Sequence, residues 1–178
     1  MRALIILFLL FQNDIYNVDF GDSPDAYSWV VVNDGVMGGL SSGQAFMEDN
    51  SIRFTGTVSL ENNGGFASIR SRRVQIDLQG AEEIEIRYKL TGVDFAFQLN
   101  QFNRFWYPNY KYPLPKTGDE WVTVTIPIDS MRQSQVGNYT GRTFETANKR
   151  RPIIQVGFIS DEKKENDYSL EVDYVIIR

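Results

Sequence analysis

Glu83-Ile84-Glu85-Ile86-Arg87-Tyr88-Lys89-Leu90 alternates without a break. Ile84, Ile86, Tyr88 and Leu90 fall on one side of an extended chain, and Glu83, Glu85, Arg87 and Lys89 on the other. Successive side chains of a strand point to opposite faces, so this stretch is a strand with one dry and one wet face. The same period recurs on either side of it. From Ser51 to Leu60, Ile52, Phe54, Gly56, Val58 and Leu60 oppose Arg53, Thr55, Thr57 and Ser59. That run follows Gln44 to Glu48 across an Asp49-Asn50 turn, which reads as a hairpin. Asp94 to Phe102 places Phe95, Phe97 and Leu99 inward. Trp121 to Ile128 puts Val122, Val124, Ile126 and Ile128 together, and Pro127 marks a sheet edge or bulge there.

Shorter apolar runs complete the pattern: Ile15 to Phe20, Trp29 to Val32, Phe66 to Ser71, Val74 to Leu78, Ile153 to Ser160 and Ser169 to Ile177. A charged turn, Asp161 to Asp167, joins the last two. Asp22-Ser23-Pro24-Asp25 is a turn in which Pro24 is placed to open one short helical turn. Residues 103–119, aromatic and proline-containing, and 129–151, polar, read as loops, the second long enough to suit a functional role. About ten strands and no helix of consequence predict an all-β, two-sheet antiparallel sandwich.

Composition narrows the chemistry. The chain has 178 residues, no cysteine and no histidine. Disulfides, thiolate metal sites, cysteine nucleophiles and Ser-His-Asp catalysis are therefore excluded. A chain of this length buries roughly 70% of the surface its unfolded form exposes, so it needs no metal to fold. The net charge of −5 argues against nucleic acid or an anionic membrane as partner. Residues 1–14 hold Arg2, an apolar run from Ala3 to Phe11, then Gln12-Asn13-Asp14. The run is too short to span a bilayer, which takes about 20 residues. It resembles the apolar part of a secretory signal, although no small-x-small cleavage site follows. The expectation is a signal-like segment over 1–14, export in preference to the cytoplasm, no transmembrane span, and one domain over 15–178.

Two glycine-rich stretches carry side chains that a plain turn does not need. The first is Val32-Asn33-Asp34-Gly35-Val36-Met37-Gly38-Gly39-Leu40-Ser41; the second is Glu61-Asn62-Asn63-Gly64-Gly65-Phe66-Ala67-Ser68-Ile69-Arg70. Paired glycines mark backbone that other residues cannot follow. Asn33, Asp34, Met37, Gly38 and Gly39 from the first form one half of a candidate binding site. Glu61, Asn62, Asn63, Gly64, Gly65 and Phe66 from the second form the other half. Exposed amides in such turns can cradle an anion or a hydroxyl-rich ligand. The competing reading is that the Asn and Asp side chains cap the turns and Met37 plugs the sandwich end. Under either reading the two loops are expected to touch. Arg70 has no acidic neighbour in sequence, so Asp34 or Glu61 is the expected ion-pair partner.

These two stretches, in this order, resemble the signature motifs of the complex I intermediate-associated protein family, NADH:ubiquinone oxidoreductase assembly factors. Trp121 with Ile126-Pro127, Gly141-Arg142, Gly157-Phe158 and Leu170-Glu171-Val172-Asp173 extend the match over roughly residues 15–178. The resemblance implies a galactose-binding-like jelly-roll sandwich of the stand-alone bacterial type. It also implies a non-catalytic binding or assembly role, no cofactor, and a protein partner such as a respiratory-complex subunit. Arg142 joins the candidate partner-binding residues on the same ground.

The alternative is a carbohydrate-binding module. Phe102, Phe105, Trp106, Tyr107, Tyr110 and Tyr112 offer flat rings for sugar faces, interleaved with Asn103, Arg104, Asn109 and Lys111. Trp106 is the residue most exposed to that test, and a glycan is then the partner. A third reading, a hydrolase built on the Asp34 and Glu61 carboxylates, needs a separation that the sequence does not fix. Asp19, Glu61 and Asp173 carry oxygen ligands for calcium, but their spacing follows no calcium loop. No metal is expected.

Overall fold

A computed structural model describes residues 13–22 and 27–178. The signal-like run and the turn at Pro24 lie outside the described residues. The chain is all-β. Its strands run, in order, β1 Tyr16–Asp19, β2 Val30–Asn33, β3 Ser42–Met47, β4 Ile52–Val58, β5 Ala67–Arg70, β6 Glu83–Gly92 and β7 Phe95–Asn100. Then come β8 Asn109–Leu114, β9 Gly118–Pro127, β10 Arg132–Gln135, β11 Asn138–Thr143, β12 Gln155–Ser160 and β13 Asn166–Ile177.

They form two antiparallel sheets. One has the order β3-β4-β13-β6-β9, with β1 also on β13; the other runs β11-β10-β8-β7-β12-β5-β2. Strand β13 is the spine of the first sheet. It pairs with β6 along one side, and along the other with β4 over its first half and β1 over its second. The inward residues of both sheets meet in one apolar core that includes Phe54, Ile84, Ile86, Tyr88, Phe95, Phe97, Phe158 and Leu170. Burying one such side chain contributes roughly 1.5–3 kcal/mol. Tyr88 keeps its hydroxyl satisfied by donating to the Pro115 carbonyl at 2.9 Å, and burial pushes its pKa up to about 12.

The alternation read from the sequence holds best in β6, where inward residues are buried and the others half-buried. Three expectations are corrected. The 103–119 segment is not all loop: β8 lies within it, with Tyr110 and Leu114 turned to the core. Pro113 falls in that strand and hides it from a reading by propensity. Residues 129–151 hold the β10–β11 hairpin, turned at Val136-Gly137, both with positive φ of 48° and 79°. Two positive φ values at a two-residue turn are the geometry that closes tight hairpins. Its strands are polar because they form a sheet edge. Conversely, Val74 to Leu78 makes only a single bridge, Ile76 to Ile153. On β9, an edge strand, Val122 is exposed and Ile126 buried, while Ile128 is buried in the 3-10 turn that follows the strand.

Candidate functional site

Strand β2 ends at Asn33 and runs into a 3-10 turn over Asp34–Met37, closed by Gly38 at φ 91°. Strand β4 ends near a second 3-10 turn over Glu61–Asn63, in which Asn62 and Asn63 both take left-handed backbone. Because β5 pairs with β2, with Ala67 opposite Asn33, the two turns come to one rim of the sandwich. They are tied there by one side chain. Asp34 is only 2% exposed, and its carboxylate accepts four hydrogen bonds. Oδ1 accepts from the Ser41 amide at 2.9 Å, and Oδ2 from Ser41 Oγ at 2.5 Å, Gly65 N at 2.7 Å and Phe66 N at 3.2 Å. Ser41 Oγ also receives the Ser59 amide at 3.0 Å.

The glycines are explained by this knot. A Cβ on Gly39 would stand 2.4 Å from Asp34 Cγ, and one on Gly64 would stand 2.7 Å from Asp34 Oδ2. No side chain fits there. Burial raises the Asp34 pKa, but the bonds from Ser41, Gly65 and Phe66 outweigh it, so the pKa lies below the usual carboxylate range. Such a carboxylate is ionised and saturated. It has no capacity to serve as an acid or base, which removes the Asp34–Glu61 hydrolase reading.

What the rim presents to solvent is apolar as well as polar. Val36 is 75% exposed, Met37 67%, Leu40 55% and Leu60 42%. Met37 therefore does not plug the sandwich end. Glu61, Asn62 and Asn63 are exposed beside them, whereas Gly64, Gly65 and Phe66 are half-buried. Asn33 is half-buried, and its Oδ1 has no partner.

The remaining candidates lie elsewhere. Arg70 stands at the far end of β5 from the rim, and no carboxylate among the described residues is within ion-pair reach. Its Nε donates instead to Ser68 Oγ at 3.1 Å. The expected pair with Asp34 or Glu61 is absent because Asp34 already spends its oxygens on backbone and serine donors. Trp106 sits in the β7–β8 loop, with the Arg104 guanidinium 5.0 Å from its ring and its carbonyl accepting from Gln135 Nε2 at 3.0 Å. In the same loop, Phe102 and Tyr107 stack on each other at 4.6 Å. Arg142 is exposed on β11, at the opposite edge of the seven-stranded sheet from β2. The structure gathers the two glycine stretches but not Arg70, Trp106 or Arg142. Among the described residues, no group of three or more carboxylates is disposed to hold an ion. Asp173 pairs with Arg87 and accepts from Asn50 Nδ2 at 3.0 Å.

The sequence reading missed the outer face of the seven-stranded sheet. In register, Arg70, Gly157, Gln98, Lys111 and Arg132 form one row across it, and Gln155, Asn100, Asn109 and Ser134 the next. An outer face ordinarily meets water, yet Gln98, Lys111 and Ser134 are buried. Lys111 Nζ pairs with Asp161 Oδ1 at 3.0 Å, and the Tyr139 hydroxyl donates to Asp161 Oδ2. The Arg132 guanidinium lies 3.9 Å from the centre of the Tyr139 ring. The available signal was Gln98 and Asn100 alternating with Phe97 and Leu99, which is also how a solvated face reads.

No helix among the described residues is long and apolar enough to cross a membrane. No curated protein matches the chain. Among solved structures, the chain is similar to a Clostridium thermocellum family 11 carbohydrate-binding module in complex with a β-1,3-1,4-mixed-linked tetrasaccharide. That likeness has 13% identity, covers 90% of this chain and 93% of the module, and has a TM-score of 0.59. The family 11 module of the C. thermocellum cellulosomal cellulase Lic26A-Cel5E is likewise 13% identical over 92% and 95%, with a TM-score of 0.60. At such identity the likeness establishes the jelly-roll fold alone. The sequence itself carries the assignment: residues 18–172 match the model of complex I intermediate-associated protein 30. With the two knotted glycine motifs inside that span, the chain belongs to the complex I intermediate-associated protein 30 (CIA30) family.

Proposed function

We propose that this protein is a non-catalytic binding domain of assembly-factor type, and that it docks a protein partner through the knotted rim. One observation carries the reading. The Asp34 knot holds Val36, Met37, Leu40 and Leu60 in water on fixed backbone. A rigid apolar patch ringed by polar groups suits a protein interface. Family membership points to an intermediate of respiratory complex I as the partner. The test is native electrophoresis of membranes from cells expressing the tagged protein. Co-migration with a complex I intermediate, abolished by Met37→Asp in a protein that still folds, supports it. Absence of co-migration, or co-migration indifferent to Met37→Asp, overturns it.

A second reading, a carbohydrate-binding module, is favoured by Phe105, Trp106 and Tyr107, all exposed on the β7–β8 loop. Aromatic rings stack on apolar sugar faces, and the solved modules of the same fold include one with a bound tetrasaccharide. A glycan array decides it, with Trp106→Ala removing any hit.

A further inference from the structure

The outer face of the seven-stranded sheet leaves hydrogen-bonding capacity unspent. Gln98 Oε1, Asn109 Oδ1 and Ser134 Oγ are buried and have no partner. Two of these are pure acceptors, and the serine hydroxyl both donates and accepts. Gln98 is fixed in place, because its Nε2 donates to Asn100 Oδ1 at 2.8 Å. At the other end of the row, Arg70 has no carboxylate within ion-pair reach among the described residues, and desolvation lowers its pKa. A buried polar atom left unpaired keeps its full desolvation penalty, so a run of them on one face calls for a partner.

The partner must offer donors to Gln98 and Asn109 and acceptors to Arg70. Hydroxyl groups do both. The floor between these residues is small: Gly157 lies between Arg70 and Gln98 in register, and Ala96 follows on the same face. It offers no apolar socket for a peptide side chain. An extended peptide would in any case pair at a sheet edge rather than lie on a face. Four strand spacings of about 4.8 Å separate Arg70 from Ser134, so the track is ~19 Å long.

We propose that this face binds a hydroxyl-rich chain, an oligosaccharide, laid across β5, β12, β7, β8 and β10. This deepens the second reading above and rests on it, but places the sugar on the sheet rather than on the Trp106 loop. Tyr139, on the edge strand β11, stands opposite Ser134 in register and so belongs to this face. Its hydroxyl donates to Asp161, and its ring lies against the Arg132 guanidinium at 3.9 Å. Admission of a ligand beside Ser134 requires Tyr139 to leave Asp161 and Arg132, a change of side chains that breaks no backbone pair.

The test is titration of isotope-labelled protein with a library of neutral and uronate-containing oligosaccharides, read by NMR. Arg70→Gln and Gln98→Leu serve as variants, with thermal unfolding as the check on folding. The expected result is shifts at the side-chain amides of Gln98 and Asn109 and at Tyr139, with each variant weakening binding about tenfold or more. Shifts confined to residues 102–107, with both variants binding as the parent does, overturn the sheet site and leave the Trp106 reading standing. No shift with any oligosaccharide overturns both.

Discussion

The Asp34 carboxylate at the rim and the outer face of the seven-stranded sheet both bury polar oxygens and treat them in opposite ways, although Asn33 Oδ1 at the rim is unpartnered like those on the face. At the rim, Asp34 saturates its oxygens with four donors from two loops. On the sheet face, three oxygens have no partner and one guanidinium has no anion among the described residues. A saturated group has nothing left to offer a ligand, so the knot holds structure and the residues around it meet the partner. An unsaturated group costs stability until something binds it. The contrast separates residues that shape the molecule from residues that await contact.

The sharpest way to break that contrast is Asp34→Ala. It strands the donors of Ser41, Gly65 and Phe66 together, and a loss of about 3 kcal/mol or more is expected from denaturant unfolding. The same carboxylate gives a pH signature. Its folded pKa is lowered, so its contribution is complete above the unfolded value of 3.8 and is lost as pH falls through the lower folded pKa. Acid titration of stability should show this fall in the parent and a flatter curve in Asp34→Asn, already weaker at neutral pH. Gly39→Ala forces a methyl against the Asp34 carboxyl and should cost about 2 kcal/mol in the same assay. The smallest effect has the opposite sign. Ser134→Ala deletes an unpartnered hydroxyl, and should leave the melting temperature unchanged or raise stability by up to about 1 kcal/mol. A clear loss there would show that Ser134 already has a partner and would erase the difference between the two regions.

Much of the fold was legible because strict alternation, as in Glu83 to Leu90, has one physical meaning. The two glycine stretches were legible as neighbours, since both follow strands and carry paired glycines. Their roles were harder to read. Asp34 looks like an exposed ligand in sequence, and only the approach of Gly39 and Gly64 to its carboxyl shows that it faces inward. Strands β10 and β11 were hidden because an edge hairpin has little apolar face to show. Gln98 and Lys111 were hidden for a different reason. Lys111 is tied on the outer side of the sheet by Asp161, just past β12, which Tyr139 of β11 also reaches, and local pattern carries no trace of such distant partners.

The spine strand β13 is the last of the described strands, yet β1, the first of them, pairs with it from Tyr16 to Ile177. β4 and β6 also need it for their central pairings. On the ribosome, the six-stranded sheet therefore stays split until residues 166–177 emerge, and until then the nascent chain carries open strand edges. Such a topology folds slowly and is exposed to aggregation while it waits. A protein that is itself proposed to tend assembly intermediates would, during its own birth, be a client for chaperones.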